Sequence, residues 1–276
     1  MRAVFCGVRG STCAPGPQFV RYGGHTSCVA LARDGAAPTL VLDAGTGLRN
    51  LTGYLDGEPF RGTILLGHLH WDHTQGLPFF AAGDEPGSDV TVVMPAQGAA
   101  EEVLERAFSP PHFPVTPGEL RGRWRITGHE PGEHDVEGFL VLAAEIPHKG
   151  GRTFGYRVSD GTRTLAYLSD HSPIAAGEGP DGLGARHEAA LTLARDVDVL
   201  IHDAQHTAAE FRSRRHLGHS AVEYAVGLAE VAGARRLVLF HHDPARTDDE
   251  IDALVAAHRD GPVEVLAAAE GLTLEV

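Results

Sequence analysis

Short apolar runs ending in Gly, Asp or His alternate along the chain with longer stretches of helical period, and no Pro/Ser-rich linker interrupts the alternation. VFCGVRGS, SCVALAR and TLVLDAG read as early strands, followed by TILLGHLH, a buried strand whose end throws a histidine cluster into a loop. Further strands are predicted at VTVVM, RWRITG, FLVLAAEIPH, TFGYRVS and TLAYLSD, most of them consecutive and so suited to antiparallel pairing. Helical period then takes over: ARHEAALTLARDV leads to DVLIHDA, SAVEYAVGLAEVAGA leads to RRLVLFHH, and DDEIDALVAAHRD precedes VEVLAAA and LTLEV. Strands of both kinds with interspersed helices predict an α/β fold in which two sheets pack face to face under outer helices. Polar residues at the strand ends would collect along one edge. The proline-rich FSPPHFPVTPGEL predicts an ordered loop near the mouth of any site there.

Composition narrows this picture. A chain of 276 residues that is 42% hydrophobic can bury one large core, so a single domain over residues 1–276 is expected. The formal charge of -14 argues against a dense polyanion as partner, because gripping one means neutralising phosphates with Lys and Arg. Cys6, Cys13 and Cys28 lie at no metal-finger spacing, and an odd count does not build a disulfide scaffold. Nowhere do eighteen apolar residues follow one another, so no membrane role and a cytoplasmic location are expected. A homodimer is compatible with all of this.

Candidate chemistry concentrates in Ile64 to Phe80. His68-x-His70-x-Asp72-His73 puts two imidazoles on one side of an extended segment, with a carboxylate and a third imidazole following through the turn. Zinc takes His nitrogen and Asp oxygen readily, and a catalytic zinc keeps one position open for water. Four metal-capable residues within six positions at a strand end are far denser than structural histidines account for.

The HxHxDH pattern resembles the hallmark of the metallo-β-lactamase fold superfamily, and the resemblance extends over nearly the whole chain. It implies a four-layer αββα sandwich with a one- or two-metal site at one edge. Carried over in order, the resemblance implies His148 in EIPHKG as the next ligand, Asp170 in YLSDH as the carboxylate shared by both ions, and a last histidine in LVLFHHDP. Side chains alternate along a strand, so only one of His241 and His242 is expected to bind, and the register after LVLF favours His241. The implied groups are His68, His70, His148 and Asp170 on one ion, and Asp72, His73, Asp170 and His241 on the other. Two divalent ions are expected, zinc first, with manganese or iron open because two ligands are carboxylates.

Two further segments resemble one branch of that superfamily. VLIHDAQHT and GHSAVEYA are similar to the HEAT and HST motifs of the tRNA 3′-processing nucleases and their small phosphodiesterase relatives. The resemblance implies His219 as general acid and Asp203 as its orienting partner, with Asp where the branch has Glu; Asp72 joins them as a catalytic residue. A competing reading makes His219 a helix-start residue with Ser220 as the cap. His25, His112, His171, His202 and His206 stay open as site or packing residues. GVRGSTCAPGPQFVRYGGHTSCVAL resembles the glycine-rich opening of the same branch. Between His148 and Asp170, however, GGRTFGYRVSDGTRTLAYLS leaves room for a hairpin and none for a tRNA-gripping arm. Together with the acidic charge, this predicts a small anionic phosphodiester as substrate, such as a cyclic nucleotide or another cyclic phosphate, and no tRNA. In the expected mechanism a hydroxide held between two divalent ions attacks phosphorus while His219 protonates the departing oxygen. The alternatives are a lactone or carboxylic-ester hydrolase on the same ligand set, and a metal-binding sensor without turnover.

Overall fold

The computed structural model describes residues 1–276. Fourteen strands form two seven-stranded sheets. The first contains β1 (Arg2–Gly7), β2 (Cys28–Ala32), β3 (Leu40–Leu42), β4 (Arg61–Leu65), β5 (Asp89–Pro95), β6 (Arg123–His129) and β14 (Thr273–Glu275), in the order β14-β1-β2-β3-β4-β5-β6. The second contains β7 (Gly132–Val136), β8 (Phe139–Glu145), β9 (Phe154–Ser159), β10 (Thr164–Leu168), β11 (Val199–Asp203), β12 (Arg236–Phe240) and β13 (Glu264–Ala267), in the order β13-β12-β11-β10-β9-β8-β7. Each sheet is half antiparallel and half parallel: β3 to β6 run parallel in the first, β10 to β13 in the second.

Burial explains why these runs become strands in this arrangement. β11 is buried at every position and β12 at all but its first, the signature of a parallel strand covered on both faces. β8 instead alternates buried and more open positions along its length, as an antiparallel strand with one solvated face does. The central core lies between the sheets and joins Phe5, Leu31 and Leu42 of the first to Val141, Tyr156, Tyr167 and Phe240 of the second.

The outer faces are closed separately. Residues of a 3-10 helix, Thr46–Tyr54, and of α2 (Ala100–Glu105) cover the first sheet, while α3 (Glu188–Ala194) and α5 (Val222–Ala232) cover the second. The result is the expected αββα sandwich. The remaining helices are α1 (Trp71–Thr74), α4 (Ala208–Arg214) and α6 (Asp248–Ala257). Both α4 and α6 open on a Thr-x-x-Glu capping box, Thr207 with Glu210 and Thr247 with Glu250. No helix is long and apolar enough to cross a membrane.

Three expectations change. RWRITG pairs parallel with VTVVM, not antiparallel, because the chain from 96 to 122 crosses over through α2 before β6 begins. β7, α2 and α4 have no counterpart in the predicted elements. Ser220 is not a helix cap: α5 starts at Val222, and the Ser220 hydroxyl donates to His171 O at 2.7 Å.

Candidate metal centre

The C-terminal ends of β3, β4, β10, β11 and β12 lie along one edge of the sandwich, and the polar residues that follow them converge there. After β4 the chain stays extended through His70 (φ -64, ψ 155) and then closes one helical turn, α1, with His73 N–H donating to His70 O at 3.0 Å. Extended backbone carries His68 and His70; the turn carries Asp72 and His73. Besides a three-residue cluster of Asp203, His219 and His241, two four-residue groups of donor atoms result, each with all its atoms within 4.8 Å of one another: His68, His70, His148 and Asp170, and Asp72, His73, Asp170 and His241. Asp170 stands in both. Its Oδ2 lies 3.6 Å from His68 Nε2 and 3.4 Å from His148 Nε2, and its Oδ1 lies 3.1 Å from both His73 Nε2 and His241 Nε2.

Outer contacts fix which ring nitrogen faces inward. The His73 Nδ1–H donates to Asp43 Oδ2 at 2.7 Å, leaving Nε2 to point at Asp72 and Asp170. The His148 Nδ1–H donates to Gly218 O at 2.7 Å, with the same effect on its Nε2. Asp43 also accepts from Gly67 N–H (2.7 Å), the Tyr167 hydroxyl (2.7 Å) and the Ser169 hydroxyl (3.1 Å). The Ser11 N–H donates to Asp72 Oδ2 at 2.7 Å.

The backbone itself is forced here. Six non-glycine residues have positive φ, and three of them serve this edge: Ser11 (62°), Asp43 (62°) and His241 (58°). Such conformations cost of order 1–3 kcal/mol each and persist where the surroundings over-determine them. Gly10 passes so close that a Cβ there would fall 2.2 Å from His241 Nδ1, so only glycine fits.

The residues present fit divalent cations. Buried His68 Nε2, His73 Nε2 and Asp170 Oδ1 have no hydrogen-bond partner although all face the same small space, an arrangement that is costly unless a cation takes the lone pairs. Imidazole nitrogen with carboxylate oxygen suits zinc, manganese and iron alike. Electrostatics point the same way. Burial disfavours charge on Asp170, yet His241, His73, His68 and His148 together hold its carboxyl well below the usual range. Asp72 is likewise held low, by His73 and His241 against its burial. Burial, with His73 adding to it, pushes His68 down, and burial also pushes His70 and His148 down. The exception is His73, where Asp72, Asp170 and Asp43 outweigh burial and raise it.

Beside the second group, Asp203 Oδ2 lies 3.1 Å from His219 Nδ1, and His219 Nδ1 is 3.7 Å from Asp170 Oδ2. Burial would lower the His219 pKa, but Asp203 and then Asp170 lift it to about 9. Asp203 is itself anchored by the N–H groups of Gln205 (3.0 Å) and His171 (3.2 Å). A cavity of about 380 Å³ opens over this edge, lined by Ser11, Leu69, His70, Trp71, Asp72, Asp170 and His219.

The other histidines lie elsewhere. His242 donates from Nε2 to Ala268 O at 2.9 Å, away from the donor groups. His202 and His171 are buried against each other, Nδ1 of His171 to Nε2 of His202 at 3.1 Å. His206 is buried with its ring 6.0 Å from that of His219. His25 contacts Thr46 Oγ1 at 3.2 Å, His112 is exposed, and neither lines the cavity. No residue of FSPPHFPVTPGEL lines it either; Phe113 packs on Phe79 and Phe108 instead. Asp43, Ser11 and Trp71 went unread in the sequence. Asp43 alone carried a signal, a carboxylate ending the apolar run TLVL before Ala-Gly.

A family model described as the beta-lactamase superfamily domain matches residues 39–242. The ribonuclease Z of Geobacillus kaustophilus is 31% identical over 222 residues, 64% of this chain and 69% of that protein. Among solved structures, the short form of human tRNase Z superposes with a TM-score of 0.68 at 21% identity, over 100% of this chain and 99% of that one. A diphosphatase of the PhnP family gives a TM-score of 0.69 at 20% identity, over 100% and 97%. These findings overturn the exclusion of tRNA drawn from charge and from the missing arm. A formal charge of -14 sums the whole surface and does not set the field at one edge. Of the arginines in the segment before the Gly218 carbonyl that holds His148, Arg214 pairs with Asp243 (2.7 Å) and Arg215 with Glu178 (2.8 Å). A short His148–Asp170 segment removes one means of grip and leaves the edge that carries the donor groups intact.

Proposed function

We propose that this chain, which belongs to the beta-lactamase superfamily, is a metal-dependent phosphodiesterase acting on small phosphodiesters such as cyclic nucleotides or other cyclic phosphates. The observation that carries the reading is the Asp203–His219 pair set 3.7 Å from Asp170. An alkoxide leaving a phosphodiester departs readily when protonated or bound to metal, and a histidine oriented by a carboxylate can supply that proton; an ester or lactone whose carbonyl is polarised by metal has less need of it. His68, His70, Asp72, His73, His148, Asp170 and His241 would hold divalent ions, which when bound would supply charge neutralisation for the phosphate and lower the pKa of water.

The chain's own residues do the rest. Asp203 fixes the Nδ1 proton of His219, a residue that lines the cavity, so that Nε2 would give its proton to the leaving oxygen. Asp170 belongs to both donor groups and sets their spacing. Asp72, oriented by Ser11 N–H, keeps its carboxylate turned inward. A second reading takes an RNA 3′ end as the phosphodiester, and it is favoured by the relatives named ribonuclease Z and tRNase Z. Both readings use the same residues and differ in what lies beyond the scissile bond.

The test compares Asp170→Ala and His219→Ala, reconstituted with zinc or manganese. Asp170→Ala is expected to lose bound metal and turnover together. His219→Ala is expected to keep its metal and lose roughly 10²- to 10⁴-fold in kcat on a cyclic nucleotide, with a smaller loss on bis-para-nitrophenyl phosphate, whose leaving group needs no proton. Full turnover of His219→Ala on the cyclic nucleotide would remove the general acid from the reading. A precursor tRNA in the same panel separates the two substrate classes.

A further inference from the structure

Trp71 is the first residue of α1, set between the donor residues His70 and Asp72, and it is 74% exposed while Asp72 is 6% and His73 is 0%. The indole lines the cavity over the donor groups, and with Leu69 it makes the apolar wall of a space otherwise lined by polar and charged side chains. The backbone beneath it is pinned. Trp71 O accepts from Gln75 N–H at 2.8 Å, Asp72 is held by Ser11 and His73 by Asp43. The position of its Cα beside the donor groups is thereby fixed. By contrast, the chain's other tryptophan, Trp124, is fixed elsewhere by donating its N–H to Arg121 O (2.9 Å) and Gly83 O (3.1 Å).

An aromatic side chain is a large apolar surface that folding normally buries. Here one is left in water, on a rigid turn, lining a cavity whose polar wall, His70, Asp72, Asp170 and His219, suits cations and, through them, phosphate. A ligand complementary to both walls has a flat aromatic group joined to a phosphate. Base–aromatic stacking accepts any base through its π-face, and it supplies binding without reading sequence.

We infer that Trp71 is a stacking platform which makes the site select phosphodiesters that carry a nucleobase over those of equal charge that do not. The inference rests on the phosphodiesterase reading and narrows it: cyclic nucleotides and RNA ends qualify, while simple alkyl or sugar cyclic phosphates bind through the phosphate alone.

Two measurements on zinc-loaded protein test it. The first is the ratio of kcat/KM for a cyclic nucleotide to kcat/KM for ribose cyclic phosphate lacking the base. Trp71→Ala is expected to lower that ratio about tenfold or more, chiefly through KM for the nucleotide, and Trp71→Phe to keep most of it. An unchanged ratio in Trp71→Ala overturns the platform. The second is binding without turnover: in a Trp124→Phe background, where Trp71 is the sole tryptophan, adenosine monophosphate is expected to quench the tryptophan emission and ribose 5-phosphate to leave it unaltered. Quenching with no turnover of any diester keeps the platform and sinks the hydrolytic reading. Turnover of diesters with neither quenching nor a change in the ratio keeps hydrolysis and sinks the platform.

Discussion

Removing the Asp43 carboxylate would strand four donors at once: Gly67 N–H, His73 Nδ1–H, and the hydroxyls of Tyr167 and Ser169. Loss of one partner from a buried charged network of this kind costs about 3–5 kcal/mol. Loss of the contact that orients a ligating imidazole weakens metal binding by about 10- to 100-fold. Asp43→Ala is therefore expected to lower the urea midpoint sharply, and the near-isosteric Asp43→Asn to keep more stability while still losing zinc affinity in competition with a chromogenic chelator. Wild-type affinity in a folded Asp43→Asn protein would show that the His73 tautomer is set elsewhere. The contrast between Asp43 and the HLHWDH stretch says what a sequence can convey at this scale. Neighbouring donors advertise themselves by density, whereas Asp43 draws its meaning from residues 67, 73, 167 and 169, which adjacency along the chain does not reveal. The histidine pair after β12 is a subtler case. Strand alternation separates His241 from His242 in principle, but β12 ends at Phe240 and His241 sits at φ 58°, so a left-handed turn, and not strand register, aims its ring.

Among the elements, those with an apolar run were legible and those without were not. β7, GEHDV, has no fully buried position, and α4 buries only Phe211, so neither carries a period to detect. The parallel pairing of β5 with β6 depends on the crossover between them, which run length alone does not encode. The junction of β6, β7 and β9 makes a prediction of its own. His129, at the end of β6, lies 3.2 Å from the Tyr156 hydroxyl and 3.4 Å from His134 Nε2. Burial, and then His134, push its pKa down to about 4. An unfolded imidazole titrates near about 6.5, so between these two values the unfolded chain takes up a proton that the folded one refuses. The stability this residue lends is thus complete above about pH 6.5, declines as the pH falls, and stops declining near pH 4. Urea midpoints at pH 7.5 and pH 5 are expected to differ less in His129→Phe than in wild type. An identical difference would mean that the acid sensitivity arises at other groups.

For the whole molecule, the donor groups join the two sheets. His68, His70, Asp72 and His73 follow a strand of the first; His148, Asp170 and His241 follow strands of the second. Cations bound there favour only the folded state, contributing about 4 kcal/mol when free metal exceeds its Kd a thousandfold. Stripping with a strong chelator is expected to lower the melting temperature, and divalent salt to restore it. A melting temperature indifferent to both treatments would mean that no ion links the sheets. The same straddling geometry makes the central core a spacer. Phe139, Val141 and Tyr156 from one side and Leu31 and Leu42 from the other fix the gap between the two halves of the active edge, much as a shim sets the jaws of a vice. A methylene added in that layer, far from any reacting atom, would reach the cavity as a widened bite. Chemistry that fails when its parts are out of place by about an ångström would register it.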